Sequence, residues 1–214
     1  LITATILTAD NQRTSNTSYF FSFLLLLSII ILLVNQPDIG QSILLIGSWM
    51  SIVFISGINI IYIISFFAIS IASFAGLLML FPEKFGYIIN RLSTFFDPTK
   101  GDSFQSQKAL DAIKQGGLKG QGMGEGILKD KVPEAHTDYI IAVISEEFGA
   151  IFVLFIIILF LFIGYRVFNK VFLGNDEFLK LTLVGLVSLL IIQTFIHIGV
   201  NSRLLPTTGM TMPF

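Results

Sequence analysis

From Ile39 to Phe81 the chain runs for more than 40 residues without one charged side chain. A helix crosses the hydrocarbon core of a bilayer with about 20 apolar residues, at about 1.5 Å of rise per residue. The run is therefore too long for one crossing and suits two, joined by a tight turn expected near Ser56-Gly57-Ile58-Asn59. Three more apolar runs approach or reach membrane length: Tyr19 to Val34, Tyr139 to Tyr165 and Leu181 to about Val200. Leu1 to Leu7 reads as the tail of another. In lipid, only helices and closed barrels satisfy every backbone polar group, and uninterrupted runs of this length are helices. The expected fold is an all-α polytopic membrane protein with five complete spans and one stub.

Composition agrees. Hydrophobic residues make up 54% of the chain and charged residues 13%, against about 25% charged in a soluble domain. Mean hydropathy is +0.83. A net charge of −1 gives no hint of nucleic-acid binding. The absence of cysteine excludes disulfides, thiol catalysis and thiolate metal sites. The chain begins at Leu1 inside an apolar segment and stops at Phe214 in a loop, so it is expected to be a fragment truncated at both ends.

Residues 82–137 form the one long polar segment, with eight of the 13 Lys and Arg and many glycines. The expected organisation is spans in 1–81, a large loop in 82–137, two spans in 138–200 and the start of another loop in 201–214. The positive-inside rule weakens for loops approaching about 60 residues, so the short connector Arg166–Lys180 counts for more. That connector, with Arg166, Lys170 and Lys180, is expected inside and the long loop outside.

Charge near a membrane helix is costly and marks candidate function. Asp138 follows Pro133-Glu134-Ala135-His136-Thr137 at the mouth of the fourth span. Two roles are compatible there: an N-cap, which Thr137 or Asp138 would fill, and a general base kept charged by the helix dipole. Glu146 and Glu147 lie deeper, about 12–13 Å further along a continuous helix. Counted at 100° per residue they point to different faces, and interhelical hydrogen bonding is the expected role. Asp38, in Gln36-Pro37-Asp38-Ile39-Gly40, reads as a turn residue unless it faces a cavity. The glycine-rich run from Gly116 to Gly124, flanked by Lys114, Lys119 and Lys129, has the composition of a phosphate cradle but no GKS or GKT follows; a solvated loop is expected. His136 and His197 lie in separate segments and form no zinc-type pattern. Ser70, Ser73, Gly76, Gly47 and Ser51 read as helix-packing positions.

Five motifs in order resemble those of the SEDS family (shape, elongation, division and sporulation). They are Gln36 to Gly40; Arg91 with Phe96-Asp97-Pro98; Gln105 with Gly116 to Gly124; Pro133 to Asp138 followed by Glu146-Glu147-Phe148-Gly149; and Leu204 to Phe214. The sequence Pro-Glu-Ala-His-Thr-Asp resembles the division branch more than the elongation branch. Phe104 where Tyr is usual, His197 where Asn is common, and Arg203 at an apolar or small position depart from the pattern.

The resemblance implies a SEDS-type multi-helix bundle with a large extracytoplasmic loop. It implies a peptidoglycan glycosyltransferase that polymerises lipid II and releases undecaprenyl diphosphate during septal wall synthesis. Asp138 would be the base. Arg91, Gln105, Lys129, His136 and Asp38 would serve the substrate and its diphosphate, and Lys119 joins them, with Lys114, through closeness in sequence. Glu146, Glu147, Pro133, Gly120 and Gly122 would support the site. A divalent cation, Mg or Mn, is compatible with diphosphate departure, though no motif specifies one. The implied partners are a class B penicillin-binding transpeptidase and other division proteins, at the septum in the bacterial cytoplasmic membrane. A lipid II flippase, an elongation-type polymerase and a non-catalytic scaffold are the competing readings.

Overall fold

The computed structural model describes residues 1–8, 16–36, 38–80, 83, 85–96, 104–128, 135 and 137–213. Among these residues the chain forms helices and no strand. The helices are α1 (Ile2–Thr8), α2 (Asn16–Asn35), α3 (Ile39–Ile55), α4 (Ile60–Leu80) and α5 (Gly86–Phe96). They continue with α6 (Phe104–Gly116), α7 (Ile140–Phe148), α8 (Ala150–Leu173) and α9 (Glu177–Asn201). By length and composition α2, α8 and α9 can each cross a membrane, and α3 and α4 add shorter apolar stretches. Large apolar side chains on these helices, such as Phe21, Ile61, Leu154 and Phe155, are exposed. In water that would be a liability; on a lipid-facing helix it is the expected surface. The protein is an all-α polytopic membrane protein.

The chain divides into two compact units, and the divisions fall inside α4, α8 and α9. The first unit holds residues 1–67 and 160–192. Its core is Ala4, Leu7, Ile52, Val53 and Leu181, with Tyr19 and Trp49 packed against it. Phe23, Trp49 and Phe66 join α2, α3 and α4, with ring centroids 5.3–6.1 Å apart. Small residues let helices approach: Ile192 lies against Gly47, Ile52 against Gly185 and Ile191 against Gly164. Gly47 is thus a packing position as expected, whereas Ser73 is exposed and Gly76 has open space where a Cβ would be. The α3–α4 turn falls at Ser56–Asn59, and the Tyr19 hydroxyl meets Ser56 Oγ there at 3.0 Å.

Asp38 is more than a turn residue. Its carboxylate accepts the Gln41 amide at 3.0 Å and so caps α3. This satisfies one of the amides that every helix N-terminus leaves unpaired.

The second unit holds residues 68–159 and 193–214. The structure departs from three expectations, two in this unit and one in the first. The 82–137 loop contains two helices, α5 and α6. In α6, which packs against α7, Ala109, Ala112 and Gly116 recur at helical spacing and are buried, and Gly116 lies against Ser145 of α7. The span expected over Tyr139–Tyr165 is broken at Gly149, which separates α7 from α8 with φ 83° and ψ 170°. Finally, the connector Arg166–Lys180 is mostly helical: α8 runs to Leu173, and Asp176 accepts the Leu179 amide at the start of α9.

Candidate active site

The glycine-rich run is docked through its backbone, with Leu118, Lys119 and Met123 exposed, and it closes the break at Gly149. A helix end leaves carbonyls unpaired and a helix start leaves amides unpaired. At this break both sets are met by one loop. The Gln121 amide donates to Glu146 O at 2.9 Å, and the Gly122 amide to Glu147 O at 3.0 Å, which caps the end of α7. The Ala150 amide donates to Gly117 O at 2.9 Å, and the Ile151 amide to Leu118 O at 3.3 Å, which caps the start of α8. Such contacts need bare backbone. Gly116 lies against Ser145 O, Gly120 against Glu147 O, and Gly149 against the Leu118 carbonyl, each too close for a side chain to fit between.

Glu146 is fully buried. Its Oε1 accepts the Leu128 amide at 2.7 Å, and Gly126 packs on the same carboxylate. Glu146 thereby holds the far end of the loop as its carbonyl holds the near end. Glu147 is half-buried and contributes its carbonyl to the clamp.

Asp138 lies outside the helix. It belongs to the turn 137–139 ahead of α7, whose N-cap position is Tyr139 with no side-chain capping bond. The N-cap position thus falls at Tyr139, beyond the Thr137 or Asp138 expected from the sequence. The 80° rotation expected between Asp138 and Glu146 does not apply either, since α7 begins only at Ile140. The turn is anchored from α9: Asn201, fully buried, donates from Nδ2 to the Asp138 carbonyl at 3.0 Å. The half-buried Asp138 carboxylate lies beside Gly209, where an added Cβ would stand 3.9 Å from Oδ2. Gly209 has φ 69°, so a side chain there would also strain the backbone.

The segment after α9 gathers further polar groups. Arg91 on α5 donates from Nη1 to the Thr207 carbonyl at 3.2 Å. Arg91 and Asp138 thus flank the same short stretch, Thr207 to Gly209. Arg203 donates from Nη1 to Gln107 Oε1 at 2.6 Å, which ties the segment to α6. Arg203 has φ 56°, a left-handed conformation otherwise taken by glycines in the described residues. Gln193 donates to the Thr211 carbonyl at 2.8 Å. Met210 and Met212 are buried beneath.

Of the other residues singled out in the sequence, Gln105 is half-buried on the first turn of α6, and Lys119 and Lys114 are exposed. Gly122 gives its amide to the clamp. Lys129, Pro133 and His136 lie outside the described residues. Asp38 belongs to the first compact unit and Asp138 to the second. Among the described residues no group of three or more His, Asp or Glu side chains is assembled, so no ligand set is assigned to a divalent cation. The sequence reading missed Asn201 and the alanine stripe of α6. Both had a signal: a polar amide one turn after His197 in an apolar span, and three small residues at one helical face.

A family model described as cell cycle protein, covering FtsW, RodA and SpoVE, matches residues 1–214. A Caulobacter vibrioides protein named "Probable peptidoglycan glycosyltransferase FtsW" is 36% identical over 193 residues, covering 90% of this chain and 48% of the relative. The stage V sporulation protein E of Bacillus subtilis is 33% identical, covering 87% of this chain and 51% of the relative. The chain therefore spans about half the length of these curated relatives. A solved structure described as "Structural coordination of polymerization and crosslinking by a peptidoglycan synthase complex" superposes with a TM-score of 0.64 at 23% identity. It covers 89% of this chain and 53% of that one, and at this identity the likeness speaks for the fold alone.

Proposed function

This chain belongs to the FtsW, RodA and SpoVE family of cell cycle proteins, and we propose that it carries the acid–base centre of a membrane peptidoglycan glycosyltransferase. The substrate is lipid II. The 4-hydroxyl of one sugar attacks the anomeric carbon of another, and its proton passes to the Asp138 carboxylate. The bond from the anomeric carbon to the diphosphate breaks, and undecaprenyl diphosphate leaves with the electron pair. A carboxylate for the proton and a cation for the departing anion are what this step requires. The observation that carries the reading is that Asp138 and Arg91 flank one backbone stretch, Thr207 to Gly209. Gln105, Lys119, Lys129 and His136 are assigned to substrate binding with Arg91.

The competing transporter reading needs Asp38, Glu146 and Glu147 to line a polar path. Asp38 instead caps α3, and Glu146 is enclosed and bonded to Leu128. Polymerisation is the better supported of the two. In this reading residues 82–137 face the outside of the bacterial cytoplasmic membrane and the short α8–α9 turn faces the cytoplasm. The resemblance of the motif around Asp138 to the division branch supports work at the septum, with a class B penicillin-binding transpeptidase to crosslink the product and other division proteins around it.

The test is Asp138→Asn in the full-length protein. Asn keeps the size and cannot take the proton. Removing an acid–base group costs about 10²- to 10⁴-fold in rate. Glycan-strand formation from lipid II should fall by that factor while lipid II binding persists. Strand synthesis at the wild-type rate would overturn the assignment of the base.

A further inference from the structure

Asp138 belongs to the turn ahead of α7, whose N-cap residue, Tyr139, makes no side-chain capping bond. One anchor of that turn comes from α9. Asn201 is fully buried, and its Nδ2 reaches two backbone carbonyls: His197 O, one turn back on its own helix, at 2.9 Å, and Asp138 O at 3.0 Å. His197 Nδ1 lies 3.3 Å from the same nitrogen. The orientation of the amide follows from these partners. Turned over, its oxygen would face two carbonyl oxygens. His197 is itself buried and faces the backbone of Thr137. Two polar side chains one helical turn apart thus meet two consecutive residues of the turn, Thr137 and Asp138.

Such an arrangement is costly unless it is used. Asn201 Oδ1 and His197 Nε2 complete no hydrogen bond in the structure, and both are enclosed. An apolar pair would have avoided that cost at the same place. The amide on Asp138 O tethers the backbone of the turn whose carboxylate lies beside Gly209.

We propose that Asn201 is a positioning residue for the transfer reaction: its side-chain amide holds the Asp138 backbone carbonyl and so sets where the carboxylate meets the attacking hydroxyl. This rests on Asp138 being the base. Asn201 does not touch substrate, so its loss displaces the carboxylate without removing a binding contact. Misplacement of a catalytic group by about 1 Å can cost on the order of 10²-fold in rate. The signature is a fall in kcat with little change in KM.

The experiment compares Asn201→Leu, Asn201→Ala and Asp138→Asn with wild type, all full-length, in lipid II polymerisation. Leu is close to Asn in shape and lacks the amide, and Ala removes the side chain. The expected result is monodisperse protein whose kcat is about 10- to 100-fold lower with KM for lipid II within about threefold of wild type. If kcat stays at the wild-type value while Asp138→Asn is inactive, the positioning role is wrong and the base assignment stands. If Asp138→Asn is active, the reading beneath it fails instead. If KM rises and kcat does not fall, Asn201 serves binding. If neither variant gives monodisperse protein, the amide supports the whole fold rather than the site, and the proposal is wrong.

Discussion

Gly120→Ala isolates what the glycine-rich loop does. Gly120 has φ 77° and lies against the Glu147 carbonyl and the Phe148 backbone, so an alanine there meets two separate costs. A left-handed conformation costs a non-glycine residue about 1–2 kcal/mol. Forcing a methyl into closed space costs about 1–3 kcal/mol more. Gly124 provides the control, since its φ is 81° and nothing lies within 4 Å of its missing Cβ. Gly124→Ala carries the conformational cost alone. The difference between the variants, about 1–3 kcal/mol, corresponds to about 5- to 150-fold in the docking equilibrium of the loop. Hydrogen exchange reads it directly at the Gln121 and Gly122 amides, which donate to Glu146 O and Glu147 O. Full-length Gly120→Ala should lose that much more protection at these two amides than Gly124→Ala. Equal exchange in the two variants would show that the loop is not held by close backbone contact with α7, and the account of the break at Gly149 would fail with it.

Glu146→Gln should melt near wild type, because the amide oxygen still accepts from Leu128. Glu146→Ala strands that buried amide and should cost about 1–3 kcal/mol in detergent melting curves. A Gln variant that melts normally yet makes no glycan would move Glu146 into the catalytic set. Asp38→Ala should destabilise by about 1 kcal/mol and Asp38→Asn by only a few tenths, as for any N-cap. Abolished activity in Asp38→Asn with unchanged melting would show a second role. The chain lacks cysteine, so single cysteines report topology once any others in the full-length protein are removed. Met123→Cys should react with an impermeant thiol reagent in intact spheroplasts and Asn175→Cys should not; the reverse pattern would overturn the external site.

Much of the chain was legible in one dimension because bilayer physics acts on local composition. The charge-free run from Ile39 to Phe81 had to become two helices, since one crossing could not contain it, and the turn fell where Gly57 and Asn59 interrupt the apolar pattern. The alanines and glycine of α6 read as loop in the sequence because the segment is polar on average. Its one buried face carries only small residues, which give a weak hydrophobic signal. Tyr139 to Tyr165 read as one span because the run stays apolar through Gly149. A lone glycine does not say whether a helix continues; here the left-handed φ and the loop carbonyls of Gly117 and Leu118 settle that it stops.

The site divides in the same way. The sequence by itself determined the chemistry available: a carboxylate at a helix mouth, two glutamates beyond it, a lysine- and glycine-rich loop, and a polar end to the last span. Only the tertiary structure decided which of these act on which. Glu146 reaches Leu128 across 18 positions, Asn201 reaches Asp138 across 63, and Arg91 reaches Thr207 across 116. Hydrogen bonds between such distant positions leave no periodicity in the chain. They exist because buried polar groups must find partners, and the partners nearest in space are brought there by helices whose packing is set by apolar and small residues elsewhere.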